Sequence, residues 1–311
     1  MSSRRLQSQT YARIALLALA SLVVIVVTGA LVRLTGSGLG CSDWPNCSET
    51  KFVDVSSAHT AIEQLNRLFT GLVAIAVILA VLGSLVRAPR RRDLTWLSLG
   101  LVAGVIGQIV LGGITVLVDL HPAAVQGHFL LSMVLCANGF VLWRRAEEPD
   151  DARRVLLVSR AHRRLAWAIT AMAGLAIVTG TVVTGTGPHG GDEEARRFGF
   201  EIGSVARVHG VAVNVTLLLA LWLMWRLRRH ADRAVLEGPI GLFVFIAFMQ
   251  AGIGYAQYFT GVPVMLVITH VAGATALWLA ALHLGRSTTG AAEVATSARD
   301  ASVVAPVVAV Q

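Results

Sequence analysis

The sequence predicts an all-α integral membrane protein with eight transmembrane helices, arranged as two similar four-helix halves. Of its 311 residues, 55% are hydrophobic and 14% charged, whereas a soluble domain carries about 25% charged residues. Eight uncharged stretches are long enough to cross a hydrocarbon core of about 30 Å as helices. Short motifs recur at an offset of 142–143 residues, which divides the chain into two halves.

Each predicted span is an apolar run between polar or basic segments. The runs lack the apolar/polar alternation of barrel strands, and a helix satisfies its own backbone groups in lipid. The first span follows a basic start but is too long for a signal-peptide core, so it is predicted to be an uncleaved anchor. The spans are Ile14–Val32, Leu68–Val86, Leu94–Val118, Pro122–Trp143, Leu165–Thr184, Val208–Trp225, Gly238–Phe259 and Val262–Leu284.

The distribution of basic residues predicts the orientation. With the N-terminus inside, 20 of the 26 Lys and Arg residues lie on the inner side, so both termini are predicted to be cytoplasmic, in the plasma membrane. The net charge of +8 does not indicate nucleic-acid binding, because the basic residues form short clusters between spans. The predicted domains are a cytoplasmic segment 1–13, an N-terminal half 14–143 with an outer loop 35–60, a linker 144–163, a C-terminal half 164–284 and a disordered tail 285–311.

The internal repeat relates the polar residues of the two halves. It pairs Gln108-x3-Gly112 and His128 with Gln250-x3-Gly254 and His270, Asn66 with His209, and Thr28–Val32 with Thr179–Val183.

Three histidines are predicted at the outer ends of even-numbered helices: His128, His209 and His270. An ionisable group in a membrane is costly and suggests a functional site. Such a histidine could be a helix–helix hydrogen-bond partner, a proton relay or a metal ligand. Because His209 and His270 lie on different helices of one half, they could bind a haem iron from both sides. Zinc is disfavoured, since no third or fourth ligand lies nearby in the sequence.

The first half pairs His128 with Asn66, and an amide is a poor iron ligand. The first half is therefore expected to bind its ligand more weakly than the second. His59, Glu63 and Arg67 share a helix face with Asn66. This stripe is either a capped helix entrance with a surface His59–Glu63 pair, or a site in which Glu63 is catalytic.

Cys41 and Cys47 lie in the first outer loop, where a disulfide can persist and Pro45 favours the turn that would join them; the alternative is a thiol pair. Cys136 lies in mid-span and is expected to serve packing. The remaining histidines are assigned no role because they lie in loops or at span ends: His121, His162, His189, His230 and His283.

Several motifs together resemble one family. They are Thr28-Gly-Ala-Leu-Val-Arg-Leu-Thr-Gly-Ser-Gly-Leu-Gly-Cys41-x2-Trp44-Pro45-x-Cys47, Glu63-x2-Asn66-Arg67-Leu, Gly112-Gly-Ile-Thr-Val before His128, and His209 with His270. From about Thr28 to Leu284 the chain resembles the haem A synthase family (CtaA/COX15) of terminal-oxidase assembly enzymes. The resemblance implies two pseudo-twofold-related four-helix bundles that oxidise the C8 methyl of haem O to a formyl group, giving haem A for cytochrome c oxidase.

The resemblance also implies roles for individual residues. His209 and His270 would be the axial ligands of haem b, and His128 would bind the iron of the substrate haem. Glu63 would be catalytic in successive hydroxylations with water as oxygen source, by stabilising positive charge or deprotonating water. Electrons would leave through haem b to an unidentified membrane acceptor. Arg67 and Arg207 are candidates to pair with haem propionates or to extend to the membrane interface.

One position departs from the family pattern, which often reads Glu-x2-His-Arg where this chain has Asn66. Either His128 is the sole ligand of the substrate iron or His59 substitutes. The first is favoured, because a seven-residue shift moves a ligand about 10 Å along a helix. Asn66, Arg67 and His59 are therefore expected to contact the substrate.

Two other classes of protein remain as alternatives: a di-haem electron-transfer protein of cytochrome b type, and a transporter of haem or another small molecule. The expected partners of a synthase are the lipid bilayer and a haem O synthase that hands over the substrate. A homo-oligomer is left open, and no nucleic acid is expected.

The predicted orientation can be tested with alkaline phosphatase, which folds only outside the cytoplasm. A fusion within the outer loop 35–60 is expected to be active, and one within the linker 144–163 inactive. The reversed pattern would contradict the orientation.

Overall fold

A computed structural model describes residues 5–292. It contains eight long helices, and each is long and apolar enough to cross a membrane, which confirms the predicted all-α membrane fold. The helices are α1 (Ser8–Leu34), α2 (Ala58–Val86), α3 (Arg92–Leu117), α4 (Pro122–Glu147), α5 (Arg160–Thr186), α6 (Ile202–Leu227), α7 (Arg233–Phe259) and α8 (Val264–Ser287). Two short strands, β1 (Arg153–Leu156) and β2 (Thr289–Ala292), pair antiparallel.

Helix α2 begins ten residues before the predicted span. A capping box starts it: the Ser57 hydroxyl accepts from the Thr60 N–H at 3.1 Å, and the Thr60 hydroxyl accepts from the Ser57 N–H at 3.0 Å. These bonds satisfy backbone donors that the helix itself leaves free. As a result, the polar residues from His59 to Arg67 are helical and face the end of the bundle.

The tail departs from the prediction of disorder from residue 285. Helix α8 continues to Ser287, and β2 then pairs with β1 of the predicted linker. The backbone groups of β2 that face β1 are thereby paired, and Arg286 forms an ion pair with Glu148 at 2.8 Å. The prediction is therefore wrong for residues 285–292. For residues 293–311 it lies outside the described part of the chain.

The helices form two closed rings. In the first, α1, α2, α3 and α4 contact each other in order and α4 returns to α1; in the second, α5, α6, α7 and α8 do the same. Among the described helices, the diagonal pairs α2–α4 and α6–α8 do not pack directly against each other. Each ring of four helices therefore encloses an interior that separates its diagonal helices. The pseudo-twofold relation between the rings stays a prediction.

The rings meet through α1, α4, α5 and α8. Trp278 on α8 donates its indole N–H to the Met133 carbonyl of α4 at 3.0 Å. Gln126 on α4 donates to the Thr181 hydroxyl of α5 at 2.7 Å. Because lipid provides no hydrophobic drive between helices, association depends on close packing and on such hydrogen bonds. Large apolar side chains face outward, such as Trp96 and Phe245, as expected for helices in lipid.

A buried ion pair fixes the inner ends of α1 and α2. The Arg87 side chain is 1% exposed and donates to Asp150 at 2.6 Å and to the Ser8 hydroxyl at 3.0 Å. Asp150 lies between α4 and β1, so this cation connects the beginning of the chain to the linker between the rings.

Replacing Asp150 with alanine is expected to destabilise the protein by about 3 kcal/mol, because it leaves the Arg87 charge buried and unpaired. Thermal unfolding in detergent measures the effect. Asp151→Ala is the matched control, since Asp151 is exposed and forms no ion pair among the described residues. Equal stability of the two variants would contradict this role of Asp150.

Candidate functional site

The three histidines proposed from sequence as iron ligands lie at the same depth. His128 is the seventh residue of α4, His209 the eighth of α6 and His270 the seventh of α8. These helices begin at the same end of the bundle, so the three imidazoles lie one to two turns below that end. The equivalent depth agrees with the sequence repeat.

In the second ring, His209 and His270 lie on the diagonal helices α6 and α8. Each of the two imidazoles faces a glycine on a neighbouring helix. A Cβ added at Gly180 would lie 3.1 Å from His209 Cε1, and one at Gly254 would lie 3.6 Å from His270 Cε1. The Thr179 hydroxyl contacts His209 Nδ1 at 3.2 Å. Gly180 and Gly254 thus leave room for the imidazoles of His209 and His270, which lie on diagonally opposite helices of the second ring.

The second ring fits a haem with two axial histidines. His270 Nδ1 is buried and has no hydrogen-bond partner among the described residues. An imidazole nitrogen that is buried without a partner is costly unless a ligand uses the side chain. The two histidines lie on helices that do not pack directly against each other, and helical bundles build haem sites from side chains on facing helices. The chemistry of the donor set therefore suits an iron porphyrin.

In the first ring, Asn66 and His128 lie on the diagonal helices α2 and α4. His128 resembles His270: its Nδ1 is buried and unpartnered in the described structure, and a Cβ at Gly112 would lie 3.3 Å from its Cε1. Gln108 donates to the His128 carbonyl at 3.1 Å, which fixes α3 against α4 at this level.

Asn66 has the same surroundings as His209 but fills less space. It accepts a hydrogen bond from the Thr28 hydroxyl at 2.9 Å, as Thr179 contacts His209 in the second ring. A Cβ at Gly29 would meet nothing within 4 Å, whereas the equivalent Gly180 is crowded by the His209 ring. The first ring therefore has one buried imidazole and, opposite it, an amide with open space beside it.

Glu63 is buried at the outer end of the first ring, with 6% of its surface exposed. One carboxylate oxygen accepts from the Cys41 backbone N–H at 2.8 Å, and the other from Arg67 Nε and Nη2 at 3.0 and 2.6 Å. Arg67 also donates to the carbonyls of Asn46 and Asp43 at 3.1 and 3.3 Å. This carboxylate–guanidinium pair thus binds the backbone of the first outer loop to α2.

The polar residues that share a face of α2 contact different partners. His59 contacts the Ser37 hydroxyl at 3.0 Å, and Glu63 pairs with Arg67 one turn on. The alternative of a surface His59–Glu63 pair is therefore wrong. Asn66 contacts Thr28 of α1 instead.

The two arginines considered for propionates differ in their surroundings. The guanidinium of Arg67 is committed to Glu63 and to loop carbonyls, so a propionate would have to displace one of these bonds. The Arg207 side chain is 76% exposed and lies 3.7 Å from Glu201. The propionate role stays a prediction for both.

The first outer loop contains the Cys41–Cys47 disulfide expected from sequence, with a sulfur–sulfur distance of 2.04 Å. Cys136 is free and fully buried in the packing of the first ring. Between the two cysteines, the Trp44 ring lies 5.2 Å from the Arg67 guanidinium carbon. It also packs on Gly113 of α3, where a Cβ would come within 2.4 Å of the ring.

Trp44 connects the loop to the histidine site, since Gly113 is next in sequence to Gly112, which faces the His128 ring. Glu63, the disulfide loop and His128 therefore meet at one end of the first ring. The sequence alone assigned no role to Gly113, Thr28 or Thr179. The repeat places Thr28 and Thr179 at equivalent positions of the two halves, and this signal could have identified them.

The chain is similar to known proteins over most of its length. Residues 12–188 match the family COX15-CtaA, described as cytochrome oxidase assembly protein. A relative from Listeria welshimeri, named "Heme A synthase", is 27% identical over 270 residues, which are 80% of this chain and 86% of that protein. Relatives of the same name from Shouchella clausii and Halalkalibacterium halodurans are 26% and 24% identical, covering 76% and 80% of this chain and 83% and 87% of theirs.

The contact between Trp44 and Gly113 can be tested by adding one methyl group. Gly113→Ala is expected to destabilise the protein by about 1–3 kcal/mol, because the methyl overlaps the indole ring. In Gly71→Ala, the matched control on α2, the methyl meets open space; stability should be unchanged or about 0.4–1 kcal/mol higher. Thermal unfolding in detergent compares them, and equal effects would contradict the contact.

Proposed function

Because the chain belongs to the COX15-CtaA family of cytochrome oxidase assembly proteins, we propose that it is a haem A synthase, an oxidoreductase that converts the C8 methyl of haem O into the formyl group of haem A. The observation that carries the proposal is the buried Glu63 carboxylate, held at the same end of the first ring as His128. The name of the relatives from Listeria and related bacteria supports the same reaction.

The C-terminal half, residues 164–284, is proposed to hold haem b. His209 and His270 would supply the two axial nitrogens, and Gly180 and Gly254 keep space for their rings. Bound haem b would supply a one-electron carrier. The Thr179 hydroxyl, 3.2 Å from His209 Nδ1, orients that imidazole, as outer hydrogen bonds commonly do for histidine ligands.

The N-terminal half, residues 14–143, is proposed to bind haem O as substrate. His128 would contact the iron from one side only, because Asn66 offers an amide on the other. His59 does not replace the missing ligand, since it lies seven residues away on α2 and contacts Ser37.

The proposed chemistry is two successive oxidations of the methyl carbon. In each, a hydroxyl group from water replaces one hydrogen of the carbon, and two electrons and two protons are released, one proton from the C–H bond and one from the water. The first oxidation gives the alcohol and the second the gem-diol, which loses water to give the aldehyde. Glu63 would accept a proton from the attacking water or stabilise positive charge at the carbon. The Cys41 N–H and Arg67 hold its carboxylate in place, and the electrons pass to a membrane acceptor.

The protein is a multi-pass membrane protein. We propose the plasma membrane with both termini in the cytoplasm, on the basis of its basic inner segments. The site then lies near the outer face, where the Cys41–Cys47 disulfide is stable. A haem O synthase in the same membrane is the natural donor of the substrate.

A di-haem electron-transfer protein of cytochrome b type is the second candidate. The observation that favours it is the repeated contact between a glycine and a histidine in both rings, Gly112 with His128 and Gly254 with His270. It does not account for Asn66 or for the buried Glu63 network, which an electron carrier has no need of.

Glu63→Gln is expected to stop the oxidation, because the amide cannot accept a proton from water. It also removes the ion pair with Arg67, so thermal unfolding and haem b content are measured alongside to show that the variant stays folded. Loss of an acid–base group typically costs about 10²–10⁴-fold in rate, so cells should accumulate haem O and lack haem A. Haem extraction and chromatography measure this. Asp54→Asn, in an exposed Lys51–Asp54 pair of the same outer segment, is the control and should make normal haem A. Normal haem A from Glu63→Gln would contradict the catalytic role.

Asn66→His is expected to give the first ring a second axial ligand, since the space beside Gly29 is open. The substrate haem should then become low-spin, which optical spectra record. Asn66→Gln keeps an amide and should leave the spin state unchanged. An unchanged spectrum of Asn66→His would contradict the proposed open iron position.

A further inference from the structure

A second cluster of metal-binding side chains lies at the inner ends of the helices. It comprises His162 in the first turn of α5, His230 in the turn between α6 and α7, and Asp232 at the N-cap of α7. One ligand atom from each lies within 4.8 Å of the other two. His209 lies near the opposite end of α6, about 27 Å away along the helix at 1.5 Å per residue. The cluster is therefore separate from the proposed haem sites.

The two imidazoles converge on one carboxylate. Nδ1 of His162 lies 2.7 Å from one oxygen of Asp232, and Nδ1 of His230 lies 3.4 Å from the other. The imidazole centroids are 4.6 Å apart, with ring planes at 84°. His162 is 2% exposed, and its Nε2 is buried without a hydrogen-bond partner among the described residues. His162 is thus a buried imidazole with one ring nitrogen that lacks a hydrogen-bond partner in the described structure.

Asp232 is a shielded carboxylate without an arginine or lysine partner in the described part of the chain. Its side chain is 11% exposed, and the adjacent Arg233 is paired with Glu237 at 2.6 Å. One oxygen of Asp232 accepts a hydrogen bond from the Ser159 N–H at 2.8 Å and lies 2.7 Å from His162 Nδ1. A shielded anion of this kind is normally paired with a cation or coordinates a metal.

The Nδ1 atom of His230 is unprotonated, because it accepts a hydrogen bond from the Asp232 N–H at 3.1 Å. A metal ion would take the lone pair that this hydrogen bond now uses. Ligation requires neutral imidazoles and an ionised carboxylate. Zinc–nitrogen and zinc–oxygen bonds of about 2.0–2.2 Å require the donor atoms to close by about 1 Å, and the exposed side chain of His230 can move that far.

We propose that His162, His230 and Asp232 bind one divalent transition-metal ion, with Zn²⁺ as the best match to two imidazoles and a carboxylate. Water completes the coordination. The ion joins the start of α5 to the turn between α6 and α7, and so fixes the inner end of the second ring. The proposal is independent of the proposed haem chemistry.

The test uses the full-length protein in detergent, stripped with chelator and dialysed against buffered Zn²⁺. Elemental analysis should find one Zn²⁺ per wild-type chain, and X-ray absorption at the zinc edge should show imidazole ligands. His230→Ala and Asp232→Asn should weaken binding at least tenfold, because loss even of an outer partner of a ligand costs about 10–100-fold. His121→Ala, at the start of α4, is the matched control and should bind as wild type.

His230 is 45% exposed, so its substitution tests the site without unfolding the chain, and thermal unfolding without zinc checks this. Zn²⁺ should raise the melting temperature of the wild type but not that of His230→Ala. Equal binding by wild type and by the double variant His230→Ala/Asp232→Asn would overturn the proposal. So would the absence of stoichiometric Zn²⁺ in the wild type. Neither result depends on whether the protein makes haem A.

Discussion

The outer end of the first ring depends on one buried ion pair. Glu63 and Arg67 lie one turn apart on α2, and between them they hold three backbone groups of the first outer loop. Because a buried carboxylate is costly unless it is paired and hydrogen-bonded, the pair and the loop stabilise each other. The loop in turn packs Trp44 on Gly113 of α3, next in sequence to Gly112, which faces His128. The position of the proposed catalytic group and that of the proposed iron ligand are therefore coupled.

The ring geometry explains how two similar halves can serve different purposes. In both, the diagonal helices face the interior and a threonine contacts the residue at the same position, which is Asn66 in the first ring and His209 in the second. This single difference removes an imidazole and leaves open space. One sequence position thus changes the number of imidazoles available to an iron from two in the second ring to one in the first, within the same packing.

The sequence was sufficient to predict the membrane-spanning helices, because lipid requires long apolar segments. It was insufficient to predict helix ends and side-chain contacts, because these depend on local partners. Hydropathy predicted all eight spans, and the repeat predicted the common depth of His128, His209 and His270. Helix ends were less predictable: the capping box at Ser57 and the pairing of Arg286 with Glu148 extend helices into polar segments. The partner of His59 depends on where the first loop lies, which helix periodicity does not determine. The cluster of His162, His230 and Asp232 was missed because it joins two helix ends about 70 residues apart in sequence.

The most direct test of the account is the haem content of the purified wild-type protein, expressed in cells that make haem O. An optical spectrum and chromatography of the extracted haems give its amount and identity. The account predicts one equivalent of low-spin protohaem together with haem O or haem A. Two equivalents of protohaem alone would contradict a synthase and favour an electron carrier, and protein without haem would contradict the assignment of the three histidines as iron ligands.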